Sequence, residues 1–257
     1  CSLKSIVNQN VQICVSNNSS TCIFDAISDI DSNIKYNHKY LNKPFSRAIG
    51  INYGVKKLVT TEYFIISDID LVYSNDHIQR LFIKFESLRR PNEYIRFVTY
   101  NYNLLPISHI SFIGKILYKT PFFRKYASIF TKESPHLYTH EYEVLDQFPK
   151  SNGGYAHGNG LIHKDSFYKI QGYDEEMIGY GPEDDLFNTR ISKINRIIYD
   201  NLNDTSTFHL WHPRFQMLQF EKNMEIWKLK KAYINSLLIP TLEDIIANKD
   251  KKDWGRI

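Results

Sequence analysis

Seven residues in this 257-residue chain have the types and spacing for chemistry: Asp68 and Asp70, one residue apart; Glu183, Asp184 and Asp185 in a row; and His209 and His212, three apart. Two carboxylates as close as Asp68 and Asp70 repel unless they are solvated or share a divalent cation that also meets a ligand phosphate. Neutral imidazoles beside such a pair add donors that suit Mn²⁺. A further carboxylate can take a proton from a reacting hydroxyl. Each signal also has a plain reading. Asp-x-Asp is often an acidic turn, and three acids after Pro182 can simply favour the unpaired N–H groups of a helix N-terminus. A lone His is more often structural than a ligand.

These residues need elements to position them. Asp68 and Asp70 follow the apolar run Tyr63-Phe64-Ile65-Ile66, which predicts a buried strand whose C-terminal end delivers both acids to the rim of an open sheet, where ligands bind in α/β folds. Upstream, Lys43 to Gly54 predicts a helix with Pro44 in its first turn and Ala48, Ile51 and Val55 on one face. Arg47 then lies in the first turn, either as a solvated surface residue or as a guanidinium clamp on a diphosphate. Downstream, a glycine-dense block runs from Asn152 to Lys164, and Gly179-Tyr180-Gly181 predicts a flexible loop carrying one aromatic before the helix of Glu183, Asp184 and Asp185.

The rest of the chain supplies a scaffold. Cys1 to Gln9 reads as an amphipathic helix and Val11 to Ser16 as a short strand, the beginning of a parallel α/β sheet. A strand preceding that helix is expected and is not present. Thr21 to Tyr40 predicts a helix and a strand, Asn75 to Arg89 a helix, Tyr94 to Leu105 a strand, Arg196 to Tyr199 a strand and Phe215 to Leu238 a long helix. The tail from Leu242, with its charge run Lys249 to Asp253, predicts a frayed, solvated end. Pro106 to Lys150 is basic and aromatic. It can lie on an anionic membrane, shape an acceptor groove, or form a partly buried helical hairpin.

Composition narrows the partners. Hydrophobic residues make up 42 % and charged residues 23 %, an ordinary globular balance. The net charge of +4 suits an anionic ligand or a membrane surface but is too small to argue for nucleic acid. Three cysteines, with no Cys-x-x-Cys, argue against a disulfide framework or a zinc site and for a reducing compartment. No run of transmembrane length appears. The expected location is the cytoplasm, with a peripheral contact on the inner face of the membrane.

Three blocks in order resemble one family. Phe45-Ser46-Arg47-Ala48 and, about twenty residues on, Ser67-Asp68-Ile69-Asp70-Leu71 are similar to the nucleotide-binding and Asp-x-Asp segments of metal-dependent GT-A glycosyltransferases. Gly158-Asn159-Gly160, Gly172-Tyr173-Asp174 and Gly179-Tyr180-Gly181-Pro182-Glu183-Asp184-Asp185 resemble the β-1,4-galactosyltransferases and the bacterial chondroitin-synthase-like enzymes. The resemblance spans Val11 to Arg214. It implies a Rossmann-like, mostly parallel central sheet flanked by helices over residues 1–214, with 106–150 as an acceptor- or membrane-facing insertion and 215–257 as a helical C-terminal extension.

It also implies roles. Phe45, Arg47, Asp68, Ile69, Gly158 and Gly160 would contact the nucleotide donor. Asp70 would ligate Mn²⁺ or Mg²⁺, with His212 the second ligand and His209 a further candidate. Tyr180, Glu183 and Asp185 would hold the acceptor, and Asp184 would be the general base. Tyr180 stands where the family has Trp, and Pro182 where it has Gly. The implied reaction is inverting transfer of Gal or GalNAc from a UDP-sugar to a free or lipid-linked saccharide, in bacterial capsule or other surface-glycan assembly. A nucleotidyltransferase also uses an acidic metal pair, but it wants a Gly-rich phosphate loop near the N-terminus, which is absent. A non-catalytic glycan-binding module needs no nucleotide.

Overall fold

The computed structural model describes residues 2–7, 9–40, 45–73, 77–88, 92–101, 154–200, 207–209, 219–247 and 254–255. Segment 106–150, Pro44, His212 and the charge run 249–253 lie outside them. In chain order the elements are α1 (Ser2–Val7), β1 (Cys14–Asn17), α2 (Phe24–Ser28), β2 (Lys35–His38), α3 (Arg47–Lys57), β3 (Tyr63–Ile66), β4 (Leu71–Tyr73), α4 (His77–Leu88) and β5 (Glu93–Asn101). There follow β6 (Gly154–His163), α5 (Lys164–Lys169), α6 (Glu183–Ile191), β7 (Arg196–Asp200), β8 (Thr207–His209), α7 (Phe220–Ser236) and α8 (Leu242–Ile246).

This is the expected α/β architecture, but the main sheet is mixed rather than mostly parallel, because β3 and β4 at its ends and β6 beside β5 all pair antiparallel. The strands β1 and β2 pair in parallel as a two-stranded sheet. The main sheet runs β3-β6-β5-β8-β4, with β7 also on β5. Its long strand β5 pairs antiparallel with β6 on one edge, and parallel with β7 and then β8 on the other. The strands β3 and β4 close the two ends of the path by antiparallel pairing with β6 and β8. Residues 67–70 therefore carry the chain from one end of the path to the other, and Asp68 and Asp70 sit in that crossing.

The largest core cluster lies between the sheet and α3, α5 and α6. It contains Ala48 and Val55 of α3, Ile66, Tyr94 and Ile162 of the sheet, Phe167, Ile170 and Tyr173, and Phe187 and Ile191 of α6. The rings of Tyr173 and Phe187 stack with centroids 4.2 Å apart. A smaller cluster places Leu71 and Tyr73 against Ile78 and Leu81 of α4.

Two expectations change. Helix α3 starts at Arg47 rather than near Pro44, because Ser46 caps it by accepting from the Ile49 N–H. The C-terminal tail is not simply frayed. Trp254 is 7 % exposed and packs in the main core against Phe167 and Tyr168. Lys56 lies over the Trp254 ring, 3.9 Å from its centroid, and donates to the Trp254 carbonyl. The Gly255 N–H donates to buried Glu175 (2.6 Å), which also accepts from Asn52. The preceding charge run conceals from sequence inspection an aromatic anchor that buries apolar area.

Candidate active site

The site begins at the N-terminus of α3. Asn18 at the end of β1 donates to the Ser46 carbonyl (2.8 Å), and the Ser46 hydroxyl donates to the Met177 carbonyl (3.1 Å). The Gly179 N–H donates to the Phe45 carbonyl (2.7 Å). These bonds join three chain segments around the first residue of the helix, Arg47.

Arg47 links the two acidic motifs. Its Nε donates to Asp68 Oδ1 at 2.6 Å, and its Nη1 donates to Asp184 Oδ1. The guanidinium lies over the Tyr173 ring, 5.6 Å from the centroid. The Nη2 atom is buried and has no protein partner among the described residues. Burial works against the Arg47 charge, but Asp184 and Asp68 outweigh it and hold the pKa well above its ordinary value. Burial pushes Asp68 up, with Arg47 opposing and Asp184 adding to the rise. Tyr94 is fully buried within electrostatic reach of Asp184 and Arg47, and burial pushes its hydroxyl up.

The three acids at the start of α6 diverge because successive helical residues point about 100° apart. Asp184 meets Arg47. Glu183 is 8 % exposed and turns inward, and its Oε2 has no partner among the described residues. Burial, and then the charge of Asp184, push Glu183 up to about 7. Asp185 faces α7, where Trp227 Nε1 and Lys231 Nζ both donate to its Oδ2 at 2.6 Å. Asp185 is thus not brought to the Arg47 cluster.

The loop before α6 is tied down. Gly179 has φ 79°, a conformation that suits glycine, and Asn223 of α7 donates to the carbonyls of Ile178 (2.8 Å) and Tyr180 (3.0 Å). The Tyr180 ring remains 43 % exposed, beside Phe220. Phe45 and Ile69 are also exposed at the rim, at 62 % and 69 %. The glycine block lies inside β6. Gly160 does not have positive φ; the need there is closeness, since a Cβ would lie 2.4 Å from the Tyr94 ring and 2.8 Å from the Ile95 carbonyl.

The donor set is compatible with a divalent cation. Arg47 pairs with both Asp68 and Asp184, and Asp70 follows Asp68 by two residues in the same turn. The β4–β8 register sets His209 opposite Leu71, next to Asp70. Among the described residues no group of three His, Cys, Asp or Glu side chains is assembled to hold a metal.

Tyr94, Tyr173, Asn223, Trp227 and Lys231 were not among the sequence candidates. Tyr173 had a local signal, standing in Gly172-Tyr173-Asp174. Trp227 and Lys231 had none, because their partner Asp185 is more than forty residues away.

Comparison with known proteins gives the family and the fold. Residues 2–169 match the profile of glycosyl transferase family 2. Residues 141–209 match that described as the N-terminal domain of galactosyltransferase. Among solved structures, the chain is similar to a crystal structure of GalNAc-T7 with UDP, GalNAc and Mn²⁺, at 10 % identity and a TM-score of 0.57. That match covers 96 % of this chain and 50 % of the other, so the chain spans half the length of that relative and the likeness is one of fold. No curated protein matches the sequence.

Proposed function

This chain belongs to glycosyl transferase family 2, and from that premise we propose that it moves a hexose, Gal or GalNAc, from a UDP-sugar to a saccharide acceptor with inversion at the anomeric carbon. The observation that carries the reading is Arg47, which joins Asp68 of one predicted motif to Asp184 of another, 116 residues further on, in one cluster. The galactosyltransferase match and the UDP, GalNAc and Mn²⁺ of the similar structure support the choice of donor.

In this reading the acceptor hydroxyl attacks the anomeric carbon, its proton passes to Asp184, and the bond to the diphosphate oxygen breaks with its electron pair. A single displacement inverts the centre. The Arg47–Asp184 pair must open for Asp184 to take that proton, and a donor diphosphate competing for the guanidinium would open it. Asp70 and His212, with His209 as the other candidate, would hold Mn²⁺ or Mg²⁺, whose charge would neutralise the departing diphosphate. Phe45, Ile69 and Tyr180 offer exposed apolar surface at the rim for the uracil and the sugars. Glu183 would meet the acceptor from beside Asp184.

We place the acceptor in surface-glycan assembly, free or lipid-linked. The net charge of +4 favours an anionic glycan or membrane surface, and the unpaired Cys14 and Cys22 suit the cytoplasm. No described helix is long and apolar enough to cross a membrane.

The test is a panel of UDP-sugars with Mn²⁺ and saccharide acceptors, with product configuration read by NMR. Asp184→Asn should keep UDP binding and lose transfer by about 10²–10⁴-fold. Asp70→Asn should lose the metal-dependent activity. Retention of the donor's configuration, or full activity of Asp184→Asn, would overturn the reading.

A further inference from the structure

Tyr173 links the two helices that carry the Arg47–Asp184 pair. It is fully buried, and its ring stacks on Phe187 of α6, with centroids 4.2 Å apart and planes 6° from parallel. Its backbone is gripped by Asn52 of α3. The Tyr173 N–H donates to Asn52 Oδ1 (2.8 Å), and Asn52 Nδ2 donates to the Tyr173 carbonyl (3.0 Å). The grip depends on Gly172, whose φ is 63° and where a Cβ would lie 2.2 Å from Asn52 Oδ1. Asn52 stands five residues after Arg47, and Phe187 three after Asp184. The helices that fix Tyr173 are thus the helices that present the ion pair, and the Arg47 guanidinium lies over the ring, 5.6 Å from its centroid.

A phenylalanine would fill this place with no hydroxyl to desolvate, so a phenol kept here points to a polar task. Burial pushes the Tyr173 hydroxyl well above its ordinary value, the charge of Asp184 adds to the rise, and Arg47 opposes it. Both members of the pair therefore reach this hydroxyl, Asp184 with the larger effect. Tyr94, the other buried phenol within reach, is acted on by Arg96 before Asp184. A protonated phenol can accept a hydrogen bond and can donate one, so it suits a cation and an anion in turn. In the transfer reading the two ions must part when a diphosphate takes the guanidinium. Asp184, a half-buried carboxylate, then loses a charge-assisted donor. It has two oxygens, so one can accept from Tyr173 while the other takes the acceptor's proton.

Resting on the transferase reading above, we propose that Tyr173 is a positioning residue for the transfer: when Arg47 turns to the donor diphosphate, the Tyr173 hydroxyl takes its place on the Asp184 carboxylate and holds it towards the acceptor. The handover acts on donor binding as well as on the chemical step, because it offsets the cost of opening the pair.

Tyr173→Phe keeps the ring, its stack and both backbone hydrogen bonds and removes only the hydroxyl. It is made in the full chain alone and together with Asp184→Asn, as a double-mutant cycle. Four quantities are measured: thermal midpoint without ligand, UDP affinity with Mn²⁺, KM for the UDP-sugar, and kcat. Tyr173→Phe alone should melt close to wild type, weaken UDP binding by about 3- to 10-fold and lower kcat by about 10-fold or more. In the Asp184→Asn background no carboxylate is left to hold, and the same change should leave UDP affinity and residual transfer unaltered. A lower midpoint with UDP affinity and kcat intact would make the hydroxyl structural and overturn the inference. Equal losses in both backgrounds would place its partner elsewhere than on Asp184 and overturn it too. Failure of the wild-type chain to transfer from any UDP-sugar would instead overturn the function on which the inference rests.

Discussion

At the residue scale, one guanidinium organises the site. Arg47 can serve Asp68 and Asp184 together because its fork offers separate N–H groups in a fixed plane, which a lysine ammonium does not. Arg47→Lys should keep the charge and lose the bridge, with about 1–3 kcal/mol lower stability by denaturant unfolding and at least a tenfold loss of transfer. Glu183 gives a separate signature. Its folded pKa, pushed to about 7 by burial and by Asp184, lies above its unfolded value. Its contribution is therefore fully present below the unfolded carboxyl range and is lost as pH rises through about 7. Wild-type protein without ligand should lose stability between pH 5 and pH 8 relative to Glu183→Gln, with a difference slope up to about 1.4 kcal/mol per pH unit. Equal pH profiles of thermal midpoint would refute the assignment. The residue types of Asp68, Asp70 and Asp184 were legible in the sequence because their chemistry is carried by short motifs. The divergence of Glu183, Asp184 and Asp185 was not, because it follows from where the neighbouring elements stand around α6.

At the element scale, α7 braces the acidic loop. Asn223 holds two loop carbonyls, and a Cβ on Gly181 would lie 2.9 Å from the Asn223 Cβ. Trp227 and Lys231 hold Asp185. Lys230 completes a buried cluster with Asp174 and Arg190 (3.0 and 2.8 Å to the Asp174 carboxylate). Burial pushes Asp174 up, but Arg190 and Lys230 more than offset it and hold the carboxyl below its usual range. Asn223→Ala should cost about 1–2 kcal/mol and raise the acceptor KM while leaving UDP affinity unchanged. Arg190→Ala leaves Asp174 short of a partner and should cost about 3–5 kcal/mol by denaturant melts. The apolar spacing over Phe215 to Leu238 made α7 legible as a helix; it runs from Phe220 to Ser236, and residues 215–218 of the expected span lie outside the described ones. Its role was illegible, since a brace is defined by what it touches. The register shift between β5 and β6 was hidden in the same way: the glycines signalled permissive backbone, but only the pairing shows where it falls.

At the scale of the whole molecule, the C-terminal Trp254 closes the main core and ties α3 to the loop after α5 through Lys56, Asn52 and Glu175. Trp254→Ala should lower stability by about 3–5 kcal/mol, with the loss seen in thermal melts whether or not UDP is present. The sequence alone determined the α/β class, the helices α1, α3, α4, α6 and α7, and the Asp68–Asp70 turn after a strand, but not the strands β4, β6 and β8 or the helices α5 and α8, nor that β3 is a half-buried edge strand. What it determined follows from periodicity, capping and local charge, which act over a few residues. Only the tertiary structure decided that Arg47 bridges Asp68 and Asp184, that Asp185 turns to α7, and that Trp254 belongs to the core. Each of these is a contact between segments far apart in the chain, and its geometry is set by how the sheet and helices pack rather than by any residue's neighbours in sequence.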